Sequence, residues 1–181
     1  DGMAFMQTAQ HWEGGLVPGE FIELVHDYNA IRWLQDNVQG SPVIIEAQAE
    51  GSLYRWGGRI AIHTGLPSVV GWDHHQTQQR SLEPMPGVVR QRAANVNAFY
   101  TTQDISIAAQ VLRQYDVSYI IVTAYEQGRY GESGGLQKFA QMVAQGMLDI
   151  VYQEGEATIY HVNHEALPLP AVAFNVIESG G

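Results

Sequence analysis

With 181 residues, 45% of them hydrophobic, the chain is long enough for one domain with a real core, and persistent disorder is excluded. Nineteen acidic residues against nine basic ones leave a net charge of −10, a balance unsuited to binding the phosphate backbone of a nucleic acid or an anionic lipid surface. Cysteine is absent, which excludes disulfides, thiolate metal sites and a cysteine nucleophile.

No run reaches the roughly 18 apolar residues of a membrane span, and no signal-peptide pattern opens the chain. Because the first residue is Asp1 rather than Met, the expectation is a soluble part of a longer protein. Residues 1–26 read as an irregular lead-in, punctuated by Gly14-Gly15 and Pro18-Gly19, with at most a short helix around Met3 to Trp12. A single α/β domain is expected over 27–163. There Asp27 is placed to cap a helix from Tyr28 to Val38, with Ile31, Leu34 and Val38 on one face and Gly40 to end it.

Pro42 to Ala47 is a compact apolar run suited to a covered strand, and Glu46 within it needs a partner, solvent or the strand's C-terminal rim. Next come two short β-type runs, Ile60 to Ile62 and Ser68 to Val70, which flank the turn His63-Thr64-Gly65-Leu66-Pro67 and predict strand, tight loop, strand. Asp73, with Gln76 three residues on, resembles a capping box opening a helix toward Arg80. Pro84, Pro86 and Gly87 stop it, and a second helix is expected over Val88 to Tyr100.

Asp104 then caps a helix through Tyr115, and Val117 to Thr123 is the strongest candidate for a central strand. Residues 124–135 read as a loop before a helix built on Leu136, Phe139, Ala140 and Val143, closed by Gly146. Asp149 to Gln153 and Ala157 to Val162 alternate around a Glu-Gly-Glu turn, a hairpin pattern. Residues 164–181 form a tail that could add an edge strand at Val172 to Ile177. Helices alternating with buried strands imply an α/β fold, a three-layer sandwich whose mainly parallel central sheet is closed by an antiparallel C-terminal hairpin.

Among chemical motifs, the dinucleotide fingerprint, the P-loop, His-Glu-x-x-His and Gly-x-Ser-x-Gly are all absent from the sequence. Asp73-His74-His75 invites a metal reading, but adjacent side chains on a helix point about 100° apart, so the weight falls on a cap and a polar ligand site. Trp72 offers a flat apolar face, and His75, Gln78 or Gln79, and Arg80 offer hydrogen-bonding groups, the mixture that sugars require. Two readings stand side by side for the loop after the central strand: Glu126 and Tyr130 complete that pocket at the sheet edge shared with Glu46, or the loop is Tyr-rich surface with a Glu126–Arg129 pair worth little. Arg90 and Arg92 are candidates for holding an anionic group, against the plainer reading of pairing with a neighbouring carboxylate.

Asp27-Tyr28-x-Ala30-Ile31-x-Trp33-Leu34, Gly58-Arg59-Ile60, Thr64-Gly65-Leu66-Pro67 and Gly71-Trp72, followed by His75, Arg80, Arg92, Tyr100, Asp104, Glu126, Tyr130 and Phe139, resemble the C-terminal soluble region of the YYY family of polytopic membrane proteins. The order of elements is also similar to the soluble domains of GT-C glycosyltransferases. That resemblance implies an extracytoplasmic domain attached to a membrane-helix bundle of the parent chain, serving as an accessory or acceptor-binding part of a lipid-linked sugar transferase. It implies a sugar or lipid-linked sugar as partner, no cofactor in this domain, and any divalent metal in the membrane portion. The Trp-Trp-Asp-Tyr-Gly signature of oligosaccharyltransferases is missing, and Gly71-Trp72-Asp73-His74-His75 only echoes it. Two other functions are compatible with the residues: a free-standing hydrolase using Glu46 or Asp73 with Glu126, and a non-catalytic structural module.

Overall fold

The computed structural model describes residues 2–12, 21–48, 55–79 and 81–169. The expected edge strand of the tail therefore lies outside the described residues, as does Arg80. Within the lead-in, residues 2–12 and 21–26 carry regular structure. A 3-10 turn at Ala4–Gln7 precedes β1 (Gln10–His11), which pairs antiparallel with β2 (Ile22–Glu23). Met6 and Ile22 are buried with the main core.

Helix α1 (Leu24–Asn37) begins three residues before Asp27, which places that carboxylate inside the first turn rather than at the cap. Leu24, the first residue of the helix, is buried next to β2. Strand β3 (Val43–Ile45) is followed by α2 (Arg59–Thr64), where two strands had been expected. Ile60 to Ile62 have β propensity, but Gly58 and Gly65, both left-handed at φ 82° and 76°, bracket a short six-residue helix. The Glu46 carboxylate takes up two of that helix's free N–H groups, and this tertiary cap outweighs propensity. The second apolar run does lie beside β3: Val69 N–H donates to Ile44 and Ile44 N–H to Pro67, forming one parallel bridge.

Next come α3 (Asp73–Gln79), α4 (Met85–Thr101) and α5 (Ile105–Gln114), the last capped by the Asp104 carboxylate on Ser106 N–H. Pro86 sits in the first turn of α4, where a missing N–H costs nothing, so the prolines open this helix instead of ending the one before. Strand β4 (Val117–Val122) leads into α6 (Ala124–Tyr130), where a loop had been expected. The cause is a capping box: Thr123 Oγ1 accepts from the first-turn backbone, and Glu126 accepts from Thr123 N–H. Helix α7 (Lys138–Ala144) and the hairpin β5 (Leu148–Glu154) and β6 (Ala157–Val162) complete the described chain.

The main sheet runs β3-β4-β6-β5. Among the described strands β3–β4 pair parallel, while β4–β6 and β5–β6 are antiparallel, so the sheet is mixed: the hairpin closes it, as expected, but supplies two of its four described strands. Tyr152 of β5 meets Trp33 of α1 at 5.7 Å between ring centroids, whereas Tyr160 of β6 meets Phe139 of α7 at 5.3 Å. Tyr152 is registered opposite Ile159, the neighbour of Tyr160, so the two tyrosines lie on opposite faces and helices cover both. The α/β sandwich is therefore three layers deep.

The approach of Gly135 to the C-terminal end of α4 is close enough that a Cβ there would run into the backbone of Tyr100 and Thr101. Its carbonyl accepts from Lys138 Nζ at 2.8 Å, and that ammonium lies over Phe99 and Phe139. Burial pushes Lys138 down to about 7. Gly135→Ala is expected to lower stability by about 1–3 kcal/mol through overpacking. A thermal melt unchanged from wild type would show that this contact can relax.

Candidate functional site

The C-terminal ends of the parallel strands β3 and β4, where α/β sheets usually place their chemistry, converge on a buried ion cluster. Its centre is Arg59, the first residue of α2 and only 2% exposed. Arg59 Nε and Nη2 donate to Asp27 Oδ2 and Oδ1 at 2.7 and 3.2 Å. Nη1 and Nη2 donate to Glu126 Oε1 and Oε2 at 3.0 and 2.9 Å, and Nη2 also reaches Thr123 Oγ1 at 2.7 Å. Glu46 Oε2 lies 3.6 Å from Nη1 while the same carboxylate accepts from the N–H groups of Ile60 and Ala61 at 2.9 and 2.8 Å. The guanidinium plane rests over the Tyr125 ring, 4.8 Å from its centroid.

Secondary contacts satisfy what remains. Glu126 Oε1 accepts from Ala47 N–H at 2.9 Å, and Trp56 Nε1 donates to Asp27 Oδ2 at 2.7 Å. Three carboxylates thus surround one guanidinium, so full ionisation would leave net negative charge in the interior. Burial, helped by the neighbouring Glu126 charge and only partly offset by Arg59 and the two amides, pushes Glu46 up to about 7. Burial acts on Asp27 in the same direction, but Arg59 and the Trp56 N–H overcome it and hold that carboxyl below the usual range. Against its own desolvation, Arg59 is held well above its usual value by Asp27 and Glu126.

The residues expected to form one ligand rim are therefore distributed differently. Glu46 and Glu126 are 1% and 0% exposed, and both face Arg59. Tyr130 is buried and stacks on Tyr100 at 4.9 Å. Trp72 is half-buried, and its indole N–H is shared between the carbonyls of Arg55 and Gly57 at 3.0 and 2.8 Å. The same indole lies against Gly58, so Trp72 clamps the loop that delivers Arg59. Asp73 accepts from His74 N–H, and His75 pairs with Gln79 along α3; both Asp73 and His75 keep a partly exposed surface there. Arg92 is exposed on α4, away from the ion cluster, and donates to the Val69 carbonyl at 3.2 Å. Among the described residues no group of three His, Asp or Glu side chains is arranged to hold a metal ion.

Arg59 and Asp27 are the members that sequence reasoning did not place together. A Thr-x-x-Glu spacing at Thr123 and Glu126 was readable as a helix start after an apolar strand, and it would have turned Glu126 inward. For Arg59 the only local hint was a cation between Gly58 and Ile60, at the head of an apolar run.

Fold and site together define a mixed α/β domain whose sheet edge is locked by a sealed ionic cluster. No family model matches the chain. No curated protein matches it either. Among solved structures it is similar to the C-terminal globular domain of an oligosaccharyltransferase from Archaeoglobus fulgidus, at 11% identity and a TM-score of 0.46, covering 75% of this chain and 95% of that one. A likeness at that level assigns no residue and no activity.

Proposed function

We propose that this chain is a non-catalytic, extracytoplasmic module of a polytopic, GT-C-like membrane protein of the YYY type, orienting an acceptor or sugar for a transferase centre in the membrane portion. The observation that carries the non-catalytic half is the disposition of Glu46 and Glu126. A glycoside hydrolase needs two carboxyl groups roughly 5–10 Å apart across an open cleft. Here both are directed at one buried guanidinium, so neither Glu46 nor Asp73 has Glu126 as a working partner. The transferase half rests on the motif resemblance running from Asp27 to Phe139. Asp73 and His75, partly exposed on α3 beside Trp72, are the groups in reach of an acceptor.

In the membrane-bound parent chain, Asp73→Ala combined with His75→Ala is expected to raise the acceptor KM several-fold with kcat little changed, the pattern of lost binding. Both side chains lie outside the ion cluster, so folding is preserved. Transfer kinetics identical to wild type would remove this role, as would hydrolysis of aryl glycosides by the isolated 181-residue chain.

A further inference from the structure

Helix α4 runs between two adjoining depressions that share Val88 and Arg92. One, about 190 Å³, has Ser68, Gln76 and Arg92 as its polar lining; the other, about 400 Å³, is lined by Val88, Gln91, Arg92, Gln114 and Tyr115. The larger falls within the size range of small-molecule sites, roughly 300–1,000 Å³. Neither wall contains a carboxylate, in a chain with 19 acidic residues.

Arg92 is fixed without being neutralised. Nη1 donates to the Val69 carbonyl, and the guanidinium lies 5.4 Å from the Tyr115 ring centroid. Among the described residues it has no carboxylate partner. Its remaining N–H groups form a planar fork of the kind that matches an oxyanion. Around it runs a chain of amides: Gln91 Nε2 donates to Asn95, Asn95 Nδ2 to the Tyr115 hydroxyl at 2.7 Å, and Gln114 Nε2 to the same hydroxyl at 3.3 Å. Each bond uses one N–H of the Gln91 or Gln114 amide and leaves the second N–H and the carbonyl oxygen to meet ligand hydroxyls.

We propose that this groove, centred on Arg92, binds a small hydroxyl-rich molecule carrying one oxyanion, a carboxylate or phosphoryl group on a sugar-sized body. Arg92 grips the oxyanion, the glutamine carbonyls accept from hydroxyls, and the Tyr115 ring supplies the apolar contact. The site is read from this domain alone and does not depend on a membrane-bound parent.

The test is an NMR titration of the 181-residue chain at low ionic strength with four probes: a hexose 1-phosphate, a hexuronate, the neutral hexose and inorganic phosphate. One of the two charged sugars is expected to shift amides at residues 88–92 and 114–115, and which one does so identifies the source of the oxyanion. Its Kd should rise about tenfold or more in Arg92→Gln, the loss of one charge-assisted contact. The neutral hexose and inorganic phosphate should each bind at least about tenfold more weakly. Gln114→Glu, an exposed change that sets a carboxylate across the groove, should weaken binding similarly. Absence of shifts at these residues, affinity unchanged in either variant, or inorganic phosphate binding as well as the sugar would each overturn the proposal. Unchanged transfer kinetics in the parent chain carrying Asp73→Ala and His75→Ala, with this titration intact, would count against the module's proposed role and not against this site.

Discussion

Arg59→Met is expected to remove about 3–5 kcal/mol of stability at neutral pH, the usual consequence of leaving a buried ionic partner without its counter-charge. Few single substitutions in this chain should act more strongly, because Arg59 answers Asp27, Glu46 and Glu126 at once. Typical domains have only about 5–15 kcal/mol in total. For a chain of this size the corresponding fall in Tm is roughly 6–20 °C. Methionine keeps most of the buried volume, so the loss reports charge and hydrogen bonding rather than a cavity. Adding Asp27→Asn and Glu126→Gln to Arg59→Met should recover part of the loss, since the stranded charges go with the cation. A fall below about 1 kcal/mol, the scale of an exposed ion pair, would mean that water reaches the cluster.

The second large effect is a pH dependence of the opposite sign from most carboxylates. Glu46 is raised from its ordinary 4.5 to about 7, so the folded chain holds a proton there that the unfolded chain has released. Its contribution to stability is therefore complete below pH 4.5, declines as pH rises, and is gone above about 7. The gap corresponds to about 3 kcal/mol. Asp27 works the other way: its carboxyl is depressed, so its contribution is present above its ordinary 3.8 and is lost as pH falls through the folded value. Between 3.8 and 4.5 both contributions are close to complete, so the cluster stabilises most on the acid side of neutrality.

The measurement is chemical denaturation of wild type and Glu46→Gln from pH 4.5 to 8. The stability advantage of wild type should be largest near pH 4.5 and shrink toward pH 8. Taking the difference cancels the histidines and the other groups that do not interact with Glu46. An advantage that stays constant across the range would show that Glu46 titrates as an ordinary carboxylate.

Local sequence determined most of the elements. Asp104 and the spacing behind it specify α5, the apolar run from Val117 specifies β4, and alternation around Gly155 specifies the closing hairpin. In each case the partner groups lie within a few residues, and the pattern is a property of the segment itself. Where propensity and tertiary contact disagree, contact decides. Ile60 to Ile62 has the residues of a strand but becomes helix because Glu46, 14 residues earlier, caps its first N–H groups. Trp72, which from its neighbours reads as a ligand platform, spends its N–H on the loop that carries Arg59.

The sheet edge follows the same division. Sequence alone marks Glu46 as an acid that must find a partner, and it marks α/β alternation, the hairpin and the lack of a nucleotide or hydrolase motif. It does not say that residues 27, 46, 59 and 126 meet, because ion pairing carries no periodicity and the intervals between them follow no local rule. Only the folded chain, by bringing the ends of β3 and β4 beside the first turns of α1 and α2, turns four scattered charges into a single buried lock. For the same reason it leaves Arg92, identical in type to Arg59, outside and without a carboxylate partner among the described residues.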